Sequence, residues 1–290
     1  MKMPPSEHQA PSADSLPSRR DFAIMSVAAG IAATAGTAYA ATPMVERAVD
    51  IRTSDGVCDA ILVHPQAKAP KPAVIIFPDA FGLRPLKVEM AKRLAAHGYA
   101  VLVVNSFYRV RRAPVFPPNF SFANPDDRDE LMAMIAALDH TVVMRDAKAF
   151  VAFLNAQPEV DSNAKMGAAG FCMGGSMAIR AAAAAPDRVG AVVSLHGGRL
   201  VTDQPTSPHR LIAGTTAAYH IGIATDDDEM EPETKGALRQ ALESAGRPFT
   251  LEVYPGAKHG WSVSDNAAYN PVQAERAWSA MIALYKEALV

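Results

Sequence analysis

Cys172 stands at the centre of the run Gly170-Phe171-Cys172-Met173-Gly174-Gly175, a G-x-C-x-G turn of the kind that joins a strand to a helix and projects its middle side chain out of the sheet. The segment before it, 165–170, is short and apolar after Lys165, as a buried parallel strand is. The segment after it, 176–185, is small and alanine-rich, with high helix propensity. The glycines between them permit a tight, strained turn. In that setting the amide N–H that follows the cysteine points at a developing oxyanion, and the helix N-terminus favours thiolate over thiol. The chemistry expected is attack by sulfur on a carbonyl carbon.

Such a nucleophile needs a base and an acid to orient it, and in strand–turn order these follow as acid, then histidine. The segment 219–224 reads as a strand and runs directly into Thr225-Asp226-Asp227-Asp228. A later strand, 250–254, ends in Pro255-Gly256-Ala257-Lys258-His259-Gly260-Trp261. His259 is thereby placed on a loop after the last strand. Its imidazole can take the thiol proton as general base and return it to the leaving group, while a carboxylate fixes the tautomer. Cys172, the acidic run and His259 each fall at a strand's carboxyl end, in the expected order.

The other histidines beyond the first forty residues, His64, His97, His140, His196, His209 and His220, show no paired metal-ligand spacing, and Cys58 lies far from Cys172 in sequence. The run 226–231 lacks the glycine that a calcium loop places sixth. No metal and no cofactor are expected. A formal net charge of −2 and a pI near 6.4 give no basic patch to recruit nucleic acid.

The elements that must position these residues follow from periodicity. Strands are predicted near 45–51, 57–63, 73–77, 100–104, 166–170, 190–195, 218–224 and 250–254, and helices near 84–97, 128–156, 174–185, 232–245 and 271–288. This alternation predicts an α/β fold, with a mostly parallel central sheet, helices on both faces and ligands at the carboxyl ends of the strands. The region 111–127, rich in Pro and Phe, is long for a plain connection and is read as a candidate lid.

On these residues the chain resembles the dienelactone hydrolase family, a branch of the α/β-hydrolases with a Cys-His-Asp triad. Besides the elbow, the acidic turn and the His259 loop, the matching stretches are 73–84, a strand followed by an acidic residue and a turn, 90–105, a helix and the next strand, and 106–109, a tyrosine–arginine turn. The similarity covers roughly residues 45–290. It implies Cys172 as nucleophile, His259 as base and Asp227 as the orienting acid, with Asp228 as the alternative because Pro232 lies four residues beyond it. It implies oxyanion donors at the N–H groups of Ala80 and Met173. It also implies that Asp79, in place of a family glutamate, modulates the nucleophile, and that Tyr108 and Arg109 meet the substrate, Arg109 through its carboxylate. The family's second arginine, four residues after the histidine, is Val263 here, which argues against dienelactone itself as substrate.

The activity implied is that of a carboxymethylenebutenolidase-like carboxylic ester hydrolase, acting on a small ester or lactone through a thioacyl-enzyme. A thioesterase or acyl-transfer enzyme, or a weakly catalytic binding protein on the same scaffold, are the alternatives.

The first forty residues carry a different signal. Ser18-Arg19-Arg20-Asp21-Phe22-Ala23-Ile24 is a twin-arginine motif, followed by an uncharged run rich in Ala, Gly and Thr and an Ala38-Tyr39-Ala40 cleavage site. Residues 1–40 are therefore expected to be a cleaved Tat signal read by the Tat export machinery. The run is too short and too weakly apolar for a stable membrane anchor. Residues 41–290 are then one hydrolase-like domain, periplasmic or secreted. With only Cys58 and Cys172 present there is no disulfide framework, so the thiol of Cys172 is open to oxidation.

Overall fold

The local patterns assemble in the computed structural model, which describes residues 43–289 except 118. The twin-arginine segment and its cleavage site lie outside the described residues. Eight strands form one sheet: β1 (Met44–Thr53), β2 (Gly56–Pro65), β3 (Ala73–Phe77), β4 (Ala100–Val104), β5 (Met166–Phe171), β6 (Val189–Leu195), β7 (Ala218–Ala224) and β8 (Phe249–Tyr254). The order across the sheet is β1-β2-β4-β3-β5-β6-β7-β8. The pairings β1/β2 and β2/β4 are antiparallel and the remainder parallel, so the expected mostly parallel sheet is found.

Consecutive residues of a strand point to opposite faces, and the central strands are apolar on both because both are covered. Ala73, Ile75 and Phe77 of β3 pack into one core with α3 (His140–Asn155), α4 (Met173–Ala184) and α7 (Thr234–Ser244). Val74 and Ile76 pack into a second core with α1 (Pro85–Ala95) and α8 (Pro271–Ala288). Helices on both faces hold the carboxyl ends of β5, β7 and β8 at one edge of the molecule, which is where the chemistry-bearing residues sit.

The long helix predicted over 128–156 is two helices, α2 (Pro125–Ala136) and α3. Asp139 breaks the run: its side chain accepts the Val142 N–H at 2.8 Å and caps α3. Asn124 caps α2 in the same way, with Pro125 at the first helical position. A short helix, α5 (Pro208–Leu211), lies between β6 and β7 where none was predicted, and the acidic run forms a short helix of its own, α6 (Thr225–Met230). No helix among the described residues is long and apolar enough to cross a membrane.

The loop predicted as a lid is anchored by an aromatic cluster. Val115 is buried, the Phe116 and Phe120 rings meet tilted at 43° with centroids 4.2 Å apart, and these rings reach Phe107 and Phe81 at 6.2 and 6.0 Å between centroids. With Arg84, Asp265 and Asn266 they line an open cleft of about 440 Å³ beside the turn that carries Ala80.

Candidate active site

Cys172 has φ 52° and ψ −120° and immediately precedes α4, the strained geometry expected of the elbow. Two glycines make the turn possible by close approach. A Cβ on Gly170 would lie 2.0 Å from the Gly174 carbonyl oxygen, and one on Gly174 would lie 2.1 Å from the Phe77 carbonyl oxygen. Met173 opens α4, so its N–H has no intrahelical partner. Among the described residues neither it nor the Ala80 N–H is used by a turn or loop carbonyl. Both expected oxyanion donors are therefore available.

The acid and base turns are bound to each other. The Thr225 N–H donates to the Ala257 carbonyl at 2.8 Å, the Thr225 hydroxyl donates to the Tyr254 carbonyl at 2.8 Å, and the Gly256 N–H donates to the Thr225 oxygen at 3.0 Å. His259 Nδ1 then lies 2.9 Å from both carboxylate oxygens of Asp227. Asp226 accepts the His259 backbone N–H at 2.9 Å, so it holds the main chain and leaves the ring to Asp227. Asp228, the alternative acid, is turned away and paired with Lys235 at 2.6 Å. Burial works against a charge on His259, but hydrogen bonds with Asp227 and Cys172 and the charges of both outweigh it, raising the imidazole to about 10. Asp227 thus holds the Nδ1 side of this imidazole, and Cys172 is near enough to add to the same shift.

Asp79, expected to act on the nucleophile, and Arg109, expected to face the substrate, are both held by protein partners. Asp79 was expected to modulate the nucleophile. Its carboxylate is bound instead by Arg84 at 2.7 and 3.0 Å, by the buried Lys87 at 2.8 Å and by the Phe81 N–H at 3.0 Å. Burial disfavours its charge, yet Lys87 and Arg84 hold the carboxyl at about 2. Lys87 in turn lies 4.3 Å from the Phe171 ring, so the cation paired with Asp79 reaches the residue that precedes Cys172.

Arg109 was expected to bind a substrate carboxylate. Its guanidinium is already gripped by two protein carboxylates, Asp146 at 2.8 Å through both terminal nitrogens and Asp55 at 2.7 and 3.0 Å. Tyr108 belongs to the same cluster: its hydroxyl donates to Asp146 at 2.9 Å and meets the Thr53 hydroxyl at 2.6 Å. The cluster ties the β1–β2 hairpin to α3. Arg109→Ala is accordingly expected to cost about 3 kcal/mol, the low end for removing one partner of a buried pair, because Asp146 keeps only the tyrosine. At this chain length that lowers Tm by about 6–12 °C, with KM for neutral and carboxylated esters unchanged alike. A KM rise confined to carboxylated esters, with Tm intact, would restore the substrate-binding role.

His196, set aside for lack of metal spacing, stands at the centre of the site. It is 1% exposed and has φ 41°. Its Nδ1 accepts the Cys172 N–H at 3.2 Å, its Nε2 lies 2.8 Å from the Ser262 hydroxyl, and its ring meets that of His259 edge-on at 5.1 Å. The Gly197-Gly198 pair that follows it marks the end of β6, the single sequence signal that could have drawn attention here. Val263, in place of the second arginine, is buried. No group of three or more His, Cys, Asp or Glu among the described residues could hold a metal ion.

The model of the dienelactone hydrolase family matches residues 58–289. A Bradyrhizobium protein described as a probable 2-oxo-3-(5-oxofuran-2-ylidene)propanoate lactonase is 26% identical over 80% of this chain and 90% of its own length. A Pseudomonas putida carboxymethylenebutenolidase is 28% identical over 78% of this chain and 90% of its own. Among solved structures, one from Klebsiella pneumoniae described as a dienelactone hydrolase superposes with a TM-score of 0.73 at 22% identity. It covers 84% of this chain and 99% of that one, and it speaks for the α/β-hydrolase fold alone.

Proposed function

Because the chain belongs to the dienelactone hydrolase family, we propose that it hydrolyses small carboxylic esters or lactones through a thioacyl intermediate on Cys172. The observation that carries this reading is the convergence at His259: Asp227 holds its Nδ1 at 2.9 Å, and the strained elbow of Cys172 meets His196, whose ring stands 5.1 Å from that of His259. A histidine raised to about 10 holds its proton at neutral pH, so it enters as the acid and sulfur supplies the electron pair. The Cys172 sulfur attacks the carbonyl carbon, and the carbonyl oxygen becomes an oxyanion held by the N–H groups of Met173 and Ala80. Each such donor is worth about 3 kcal/mol of barrier. Collapse expels the alkoxide, which takes its proton from His259 and leaves a thioester. Water then attacks the thioester carbon and gives a proton to the now neutral His259, and sulfur departs as the anion, restoring the starting state.

The substrate side follows from the two missing cations. With Arg109 held by Asp55 and Asp146 and with Val263 where a second arginine would stand, neither position offers a guanidinium to a substrate carboxylate. Neutral esters and lactones are the fitting class, their remaining atoms lying in the aromatic cleft beside Ala80. Stopped-flow kinetics with p-nitrophenyl acetate test the intermediate: a burst of nitrophenolate equal to the enzyme concentration, with an acetyl adduct on the intact protein, is expected. A linear trace with no adduct would overturn the covalent route, and product analysis with added thiols would show whether water or another nucleophile resolves the intermediate.

Export through the twin-arginine route is the companion proposal, supported by Arg19-Arg20 and the small-residue site at Ala38-Tyr39-Ala40. Replacing both arginines by lysine is expected to leave unprocessed precursor in the cytoplasm, because the receptor reads the pair as an address. Fractionation checks this, and normal processing of the double-lysine variant would point to another route.

A further inference from the structure

His196 joins the two halves of the site through the two nitrogens of one ring. Nδ1 accepts a backbone N–H, so it carries no proton, and the ring proton is on Nε2, which donates to the Ser262 oxygen at 2.8 Å. Ser262 lies three residues after His259 on the same loop. The Cys172 N–H lies at the strained elbow and is shared between Nδ1 at 3.2 Å and the Leu195 carbonyl at 3.1 Å. The His196 N–H donates in turn to the Gly222 carbonyl of β7 at 2.8 Å. One residue therefore touches the strand ends that carry the nucleophile and the acid, and the loop that carries the histidine.

Its position suits no simpler role. A buried polar ring is expensive to keep unless its nitrogens are hydrogen-bonded, and both nitrogens of His196 have partners. The ring is wedged among Phe171, Trp261 and His259, with centroids 6.4, 6.0 and 5.1 Å away. The charged or titratable groups facing it are His259 from the last loop and the Lys87–Asp79 pair from beneath the elbow. Burial comes first, and His259 and Lys87 second, in pushing the His196 imidazole well below its ordinary value, which agrees with an Nδ1 that accepts a hydrogen bond.

We infer that His196 is a positioning residue, which clamps the Cys172 elbow to the His259 loop and gives the His259 ring the wall it rests on. This deepens the proposed reading of Cys172 and His259 and rests on it. Loss of the clamp lets two reacting groups on separate loops drift apart, and a misplacement of about 1 Å can cost about 100-fold in rate.

Alkylation of Cys172 by iodoacetamide, followed against pH, tests the clamp without any substrate; Cys58 is fully buried, and Cys172→Ala reports any background. His196→Leu keeps bulk and removes both hydrogen bonds. It is expected to slow alkylation about tenfold, shift its pH midpoint and lower kcat about 100-fold at unchanged KM. His196→Asn tolerates the positive φ and can still accept the Cys172 N–H, so it should recover most of the alkylation rate. Ser262→Ala leaves the ring but strips Nε2–H of its acceptor, and an intermediate, roughly tenfold loss in kcat is expected. Wild-type alkylation and kcat in His196→Leu would show that the ring merely fills space and would overturn the inference. If that variant does not fold, wild-type behaviour of Ser262→Ala overturns it equally. A wild-type protein whose Cys172 alkylates but which cleaves no ester would instead sink the hydrolase reading, while the clamp is still judged by alkylation.

Discussion

Replacing Cys172 with alanine is expected to abolish turnover and leave the fold unchanged. Alanine and cysteine share the Cβ that makes φ 52° unfavourable, so the substitution adds no backbone strain, and the elbow glycines still pass Phe77 and Gly174 at the same distances. The sulfur that would carry the acyl group is gone. Loss of a catalytic nucleophile costs about 10⁶-fold where it has been measured, so the expected rate is the background of the oxyanion donors and binding alone. Cys172→Ser is expected to keep a small residual activity, because a hydroxyl holds its proton far more tightly than a thiol and a site suited to thiolate supplies too weak a base to remove it. The measurements are kcat on p-nitrophenyl acetate and the thermal midpoint of each variant. A near-wild-type rate in the alanine variant removes Cys172 from the mechanism.

Asp227→Asn is expected to lower kcat by about 10⁴-fold, as when a triad aspartate becomes an amide and the histidine is held in the wrong tautomer. Both oxygens of Asp227 face Nδ1 at 2.9 Å, and an amide nitrogen there opposes the Nδ1 proton. Asp226→Asn keeps an oxygen that accepts the His259 N–H, and Asp228→Asn weakens only the pair with Lys235, so each should cost about tenfold or less. The same change moves the pH profile. Burial lowers the His259 value and Asp227 raises it, so without the carboxylate the alkaline limb, set by loss of the proton given to the leaving group, falls below about 10. The sign for stability is the same: a raised histidine stabilises the fold below its unfolded value, and that contribution is lost as pH rises through about 10. If Asp228→Asn is the inactive variant, Asp227 is not the orienting acid.

Much of this protein is written in local pattern. All eight strands were legible, the central ones as apolar runs and the outer ones, such as β1 and β8, as mixed apolar and polar segments, and the elbow was legible because glycines on either side of a cysteine serve few other purposes at a strand–helix junction. The order Cys172, acidic run, His259 followed from strand ends alone. The break between α2 and α3 is also present locally, in Asp139, but is masked in the sequence by the apolar period that runs on across it.

Partners far apart in the chain were decided by the tertiary structure. Arg109 meets Asp55 across 54 residues and Asp146 across 37, and nothing in its own neighbourhood tells a guanidinium paired with protein from one open to substrate. The choice of Asp227 over Asp228 is a matter of which side of α6 faces the loop after β8, set by the Thr225–Ala257 and Thr225–Tyr254 bonds that join two separate turns. His196 is the clearest case, joined to Cys172 across 24 residues and to Ser262 across 66. Sequence by itself determined the strand ends and the kinds of side chain they carry, because those follow from periodicity and turn chemistry within a few residues. Which of those side chains face one another depends on parallel strands brought side by side from distant parts of the chain, so only the folded sheet decided it.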